Sequence, residues 1–122
     1  MHEYSLVQAL LTRVAREASE RQASAVHKVA VRIGPLAGVE RSLFATAFDV
    51  LSVGTIADGA ALEIQTEALG WRCTSCDAAI PEGELLACPA CGWPVRLTGG
   101  DALTLERIEL EVPQDVPGLR MR

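Results

Sequence analysis

Apolar and polar positions along this chain fall into two helical stretches and three strand-like ones. Val7, Leu10, Leu11, Val14 and Ala18 recur at helical spacing, while Arg13, Arg16, Glu17 and Glu20 lie mostly on the other face. Ser5-Leu6-Val7-Gln8 reads as a capping box, S-x-x-Q, so the pattern predicts a helix over about residues 4–22 with the first residues ahead of its first turn. Val26 to Ile33 alternates, with Val29, Val31 and Ile33 on one face and Lys28 and Arg32 on the other, as a half-buried strand does. The run Gly34-Pro35-Leu36-Ala37-Gly38 is a loop by its glycines and proline. Phe44, Ala47, Phe48 and Leu51 then predict a second helix over about residues 40–53. Glu40 suits the start of that helix and Gly54 the position just past its end. After a turn at Asp58-Gly59, Leu62 to Leu69 reads as a strand with Glu63, Gln65 and Glu67 outward.

A third strand follows far downstream, from Leu103 to Val112, after a turn over residues 98–101. Leu103 and Leu105 share one phase, and Ile108, Leu110 and Val112 share the other; the slip near Arg107 predicts a bulge. Pro113 ends the strand. Two strands and two helices alone make a thin layer. Adding the third gives an α+β fold, a three-stranded sheet covered by two helices. The expected organisation is a discontinuous domain of residues 1–69 plus 101–116, an inserted small zinc-ribbon-like domain over 70–100, and a loose C-terminal tail over 117–122.

That insertion carries all four cysteines: Cys73 and Cys76, then Cys88 and Cys91, with the spacing C-x2-C-x11-C-x2-C. Two thiolates three residues apart turn back on one metal when the loop between them is tight, and two such knuckles close a tetrahedron. Pro89 fixes one φ in the second knuckle, and Gly92 suits positive φ just after it. Asp77, at the matching place after the first, tolerates that geometry less well. Structural Zn²⁺ is the expected occupant; disulfides, an iron–sulfur cluster and a single iron are the rivals. Softness alone does not separate zinc from iron in an all-thiolate site. With four protein ligands no position is open for a reacting water. The loop between the knuckles has few large apolar residues, Ile80, Leu85 and Leu86, so the module leans on its metal. Trp71 and Trp93 flank it, either as packing around the knuckles or as a contact surface.

Composition narrows the function. The 122 residues make one or two small domains, and 49% hydrophobic content supports a real core. Net charge of −5 and a single lysine, Lys28, argue against a nucleic-acid footprint. No apolar run approaches the length of a membrane span, and the N-terminus shows no secretory pattern. A cytoplasmic protein is expected, in which four free thiols need a metal to explain them. No P-loop motif is present, and no cysteine is spare as a nucleophile once a metal is bound; the chain is not expected to be an enzyme.

Histidine is scarce. His27 lies at a strand start on the parity of the buried residues and reads as a partly buried or edge side chain. His2 differs by position: the Met1 amine, the His2 amide nitrogen and the His2 imidazole can chelate one ion through adjacent rings. The amide of Glu3 or another donor completes four nitrogens, a set that selects Ni²⁺ or Cu²⁺. Taken alone, Met-His at a chain start carries little.

Met1-His2-Glu3-Tyr4-Ser5-Leu6, Arg32 to Glu40, Phe44 to Phe48, the two Cys pairs and Gly100-Asp101 can be taken together. In combination they resemble the HypA/HybF family, nickel metallochaperones for maturation of [NiFe] hydrogenases. The resemblance covers about residues 1–112. It implies a nickel domain of two helices on a three-stranded sheet with an inserted zinc domain. It implies Ni²⁺ bound as transient cargo at Met1, His2 and Glu3, and Zn²⁺ at Cys73, Cys76, Cys88 and Cys91. Its implied partners are a HypB-type GTPase and the hydrogenase large subunit; some members also serve urease, which adds urease maturation proteins. No nucleic acid and no membrane enter this picture, and the chain is expected as a monomer or homodimer. Unlike some relatives, it has no histidine beside its Cys pairs. The alternative is a zinc-ribbon module that binds nucleic acid or protein.

Overall fold

The computed structural model describes residues 2–81 and 87–113. The Met1 amine, Leu85 and Leu86, and the expected tail lie outside the described residues.

Helix α1 spans His2–Glu20 and buries Glu3, Val7, Leu10, Val14 and Ala18. It starts ahead of the S-x-x-Q box, which therefore caps nothing; Ser5 is an exposed residue inside the helix. The reason is Glu3. It continues the buried stripe one turn back from Val7, and its carboxylate is anchored in the fold, which draws the first turn in with it. The helix ends in a Schellman motif: Ala23 N–H donates to Ala18 O at 2.9 Å and Gln22 N–H to Ser19 O at 3.1 Å, with Gln22 at φ 56°.

Strand β1, Ala25–Ile33, is the middle strand of a sheet ordered β2-β1-β5. Being central, it departs from strict alternation: Val26 and Ala30 are buried as well as Val29, Val31 and Ile33. His27 shares the parity of Val29 but is exposed, because it sits at the strand's open end, where its Nε2 meets Glu111 Oε1 at 2.8 Å. Helix α2, Arg41–Leu51, buries Phe44, Ala47 and Phe48 and packs against α1.

Strand β2, Ala61–Thr66, is shorter than the pattern predicts. Its partner β1 stops at Ile33, and after the bond from Glu67 N–H to Ile33 O at 3.1 Å there is no strand left to pair with. Strands β3, Gly70–Cys73, and β4, Val95–Gly99, form a separate antiparallel pair. Strand β5, Leu103–Glu111, places two exposed residues in a row, Glu106 and Arg107, between the inward phases of Leu103/Leu105 and Ile108/Leu110.

The described chain divides into two compact units, one of residues 2–31, 40–63 and 105–113, the other of residues 32–39 with the described part of 64–104. In the first, the core is built from α1, α2 and β1 through Val7, Val14, Val29, Val31, Phe44 and Phe48. In the second, the buried cysteines Cys73 and Cys88 stand beside β3 and β4. Its loop at residue 34 touches the turn at residue 100: Gly34 N–H donates to Ala102 O at 2.9 Å and Leu36 N–H to Gly100 O at 2.7 Å. A Cβ on Gly34 would lie 2.1 Å from the Gly100 carbonyl carbon, so only glycine permits this approach.

Candidate metal centres

Cys73 ends β3, and the chain turns at once into the first knuckle. Cys73 Sγ accepts from the backbone N–H groups of Ser75 at 3.3 Å and Cys76 at 3.4 Å. The second knuckle repeats this, with Ala90 N–H donating to Cys88 Sγ at 3.3 Å. Each turn closes through a residue at positive φ, Asp77 at 61° and Gly92 at 79°, whose N–H bonds back to Cys73 O at 3.2 Å and Cys88 O at 2.8 Å. Cys88 N–H to Trp93 O at 2.8 Å and Thr74 N–H to Pro94 O at 3.0 Å complete the frame.

These turns bring the four sulfurs within 4.8 Å of one another. Cys73 and Cys91 are 3.4 Å apart, and Cys76 stands 3.8 Å from both Cys88 and Cys91. A tetrahedron of sulfurs bonded to one ion at about 2.3 Å has edges of about 3.8 Å. The separations exceed the roughly 2.05 Å of a disulfide, and all four thiols are free. The donor set therefore fits one metal ion held by four thiolates.

The electrostatics agree. The Cys73 thiol is pulled down to about 6 by the backbone N–H of Cys76 and by that of Ser75. Cys88 is also lowered: burial opposes ionisation, but the N–H groups of Cys91 and Ala90 outweigh it. Cys91 is pushed up to about 12: the Trp93 N–H favours its thiolate, but the neighbouring sulfurs and burial oppose it. Cys76 is raised for the same reason, against the Ala78 N–H. Four adjacent thiolates repel one another, and a divalent cation at their centre is what lets all of them ionise.

The second candidate is the amino end of α1. His2 is exposed, its side chain at 57%, with Nδ1 3.7 Å from Glu3 Oε1. Glu3 is only 4% exposed. Its Oε2 accepts the backbone N–H of Glu40 at 2.9 Å, the N-cap residue of α2. The Glu40 carboxylate in turn accepts from Leu43 N–H at 2.9 Å. That Glu40 bond holds the Glu3 carboxyl down at about 2. Glu40 is lowered too, chiefly by the Ser42 hydroxyl and then by Leu43 N–H. The N–H groups of a helix's first turn have no helical carbonyl partner, so the amide nitrogen of His2 can ligate without breaking a helical bond.

All four cysteines thus meet at one point, and His2 and Glu3 share the start of α1. Periodicity and spacing did not point to two residues at these centres. Glu40 acts through its backbone N–H, which leaves no mark in sequence. Asp77 was legible only as a non-glycine residue where a glycine suits the turn. Its carboxylate contacts Arg72 Nε at 3.2 Å and Arg96 Nη2 at 3.0 Å. Of the two tryptophans, Trp71 is half-buried and Trp93 is 58% exposed.

A family model described as hydrogenase/urease nickel incorporation, metallochaperone, hypA matches residues 1–110. The hydrogenase maturation factor HypA of Aquifex aeolicus is 40% identical over 114 residues, covering 92% of this chain and 99% of its own length. That of Archaeoglobus fulgidus is 38% identical over 112 residues, covering 92% and 100%. The solution structure of the Ni metallochaperone HypA from Helicobacter pylori superposes with a TM-score of 0.71 at 28% identity, covering 93% of this chain and all of that one. A second HypA solution structure gives 0.80 at the same identity, covering 93% and 98%. With its two helices, three-stranded sheet and four-cysteine centre, the chain belongs to the HypA family of nickel-incorporation metallochaperones, a family of carriers and not of enzymes.

Proposed function

We propose that this protein binds Ni²⁺ at its amino end, through Met1, His2 and Glu3, and delivers it to the large subunit of a [NiFe] hydrogenase during maturation. In this reading Cys73, Cys76, Cys88 and Cys91 hold one structural Zn²⁺. Residues 1–69 with 101–116 are then the nickel domain, and residues 70–100 the zinc domain. The observation that carries the proposal is the exposed His2 beside a Glu3 that is pinned to Glu40. A Glu3 held in this way gives the claw one fixed member. Nitrogen donors at a chain end suit Ni²⁺, and an exposed end lets them leave one at a time as the client's ligands take over. Protons compete for an amine and an imidazole, so binding weakens as pH falls and metal release is favoured by acid.

The chain has no phosphate-binding loop, so any nucleotide-driven step belongs to a partner, a HypB-type GTPase. Cytoplasmic work with that GTPase and the hydrogenase subunit, or with urease maturation proteins, follows from the same reading. A nucleic-acid role for the cysteine module has little support, since Arg72 and Arg96 are both engaged by Asp77.

The test is metal analysis of untagged protein. Wild type is expected to bind one Ni²⁺ in addition to one Zn²⁺. His2→Ala, or extra residues before Met1, should abolish stoichiometric Ni²⁺ binding and leave zinc in place. Equal Ni²⁺ binding by His2→Ala protein would refute the assignment.

A further inference from the structure

The two knuckles are alike in backbone but not in charge. Where the second has Gly92 at φ 79°, the first has Asp77 at φ 61°, a conformation that L side chains resist. Strands β3 and β4 place Arg72 directly opposite Arg96, a like-charge pair that by itself loosens the ladder. Asp77 Oδ1 takes Arg72 Nε at 3.2 Å and Arg96 Nη2 at 3.0 Å. Its backbone carbonyl also accepts from Arg72, at 3.1 Å from Nε and 2.7 Å from Nη2. One residue therefore neutralises the repulsion between the strands and ties the knuckle's last turn to both of them. Gly92 has no side chain with which to do the same for the second knuckle.

We propose that Asp77, Arg72 and Arg96 form an ionic clip that keeps the first knuckle closed on its metal, which makes Asp77 a positioning residue for metal retention. The clip is exposed, so salt weakens it. With the clip broken, metal loss begins at Cys73 and Cys76. The inference rests on the reading of the four cysteines as a zinc site.

The experiment follows transfer of zinc from the loaded full chain to the chromogenic chelator 4-(2-pyridylazo)resorcinol. Asp77→Asn keeps a side chain that tolerates positive φ and removes only the charge. Its zinc release is expected to be roughly 3- to 10-fold faster than wild type, the range set by two exposed ion pairs. Asp77→Gly relaxes the backbone yet loses the clip, and is also expected to release faster. Adding Arg96→Gln to Asp77→Asn removes the repulsion and should slow release again. Raising salt should speed release from wild type but not from Asp77→Asn. Circular dichroism at 222 nm, dominated by α1 and α2, verifies the helical unit of each variant, and tryptophan emission from Trp71 and Trp93 verifies the cysteine unit. If wild type carries zinc and both Asp77 variants release it at the wild-type rate, the clip is refuted while the zinc site stands. Release slowed by Asp77→Gly would show that the φ strain dominates and refute it equally. If wild type binds no zinc, the zinc reading itself fails.

Discussion

Glu3 shows how one side chain joins stability to the candidate nickel site. A nearly buried carboxylate is tolerated only when it is hydrogen-bonded, and Glu40 N–H supplies the bond. Its folded value of about 2 lies below its ordinary 4.5, so the ionised form is the one that folding favours. The sign follows. The stability it contributes is complete above 4.5 and is lost as pH falls through that value toward about 2. Glu3→Gln protein should be less stable than wild type at pH 7, and the gap between them should narrow toward pH 2. Urea denaturation of both proteins across that range checks this; a gap that stays constant or widens in acid rules it out. The anchor was readable in principle. Stepping back four residues from Val7 on the apolar stripe of α1 lands on Glu3, and a carboxylate on such a stripe needs a donor. The S-x-x-Q pattern masked this by placing the helix start too late. The donor itself was unreadable, since it is a backbone group 37 residues away.

Among the elements, α2 depends most on its aromatic residues. Phe44 and Phe48 are essentially fully buried, one turn apart on the face that meets the core. Phe48→Ala should cost about 3–5 kcal/mol, a loss of buried area plus the cavity left behind. Leu51→Ala, half-exposed on the same helix, should cost clearly less. Urea midpoints read at 222 nm will rank the two, and a Leu51 effect equal to that of Phe48 would refute this account of the core. The elements themselves followed closely from spacing, because both helices and β1 bury a continuous stripe. Their ends did not. Strand β2 stops where β1 gives out, and β1 buries an extra alanine because it has neighbours on both sides. End positions depend on what an element pairs with, and a run of residues does not name its partner.

Across the whole molecule, the two units rest on different chemistry. One is held by packed apolar side chains and the other by a sulfur cluster. Structural metal binding at such a site contributes about 10 kcal/mol or more to the fold around it. Both tryptophans, Trp71 and Trp93, lie in the cysteine unit, and both helices belong to the other. Metal removal by a strong chelator should therefore shift tryptophan emission to the red while most of the signal at 222 nm remains. Simultaneous loss of both signals would mean that the units unfold together, and that the metal supports the apolar core as well.

By itself, the amino-acid sequence determined the α+β class and the four cysteines as a set. Spacing and periodicity are local quantities that survive in any conformation, and each of these readings rests on them. Only the tertiary structure decided what those residues meet. It set Glu3 against Glu40 and placed Asp77 between two facing arginines. It also ended β2 at its partner's last residue. Those outcomes depend on hydrogen-bond donors and charges brought together from distant parts of the chain, and folding alone selects them.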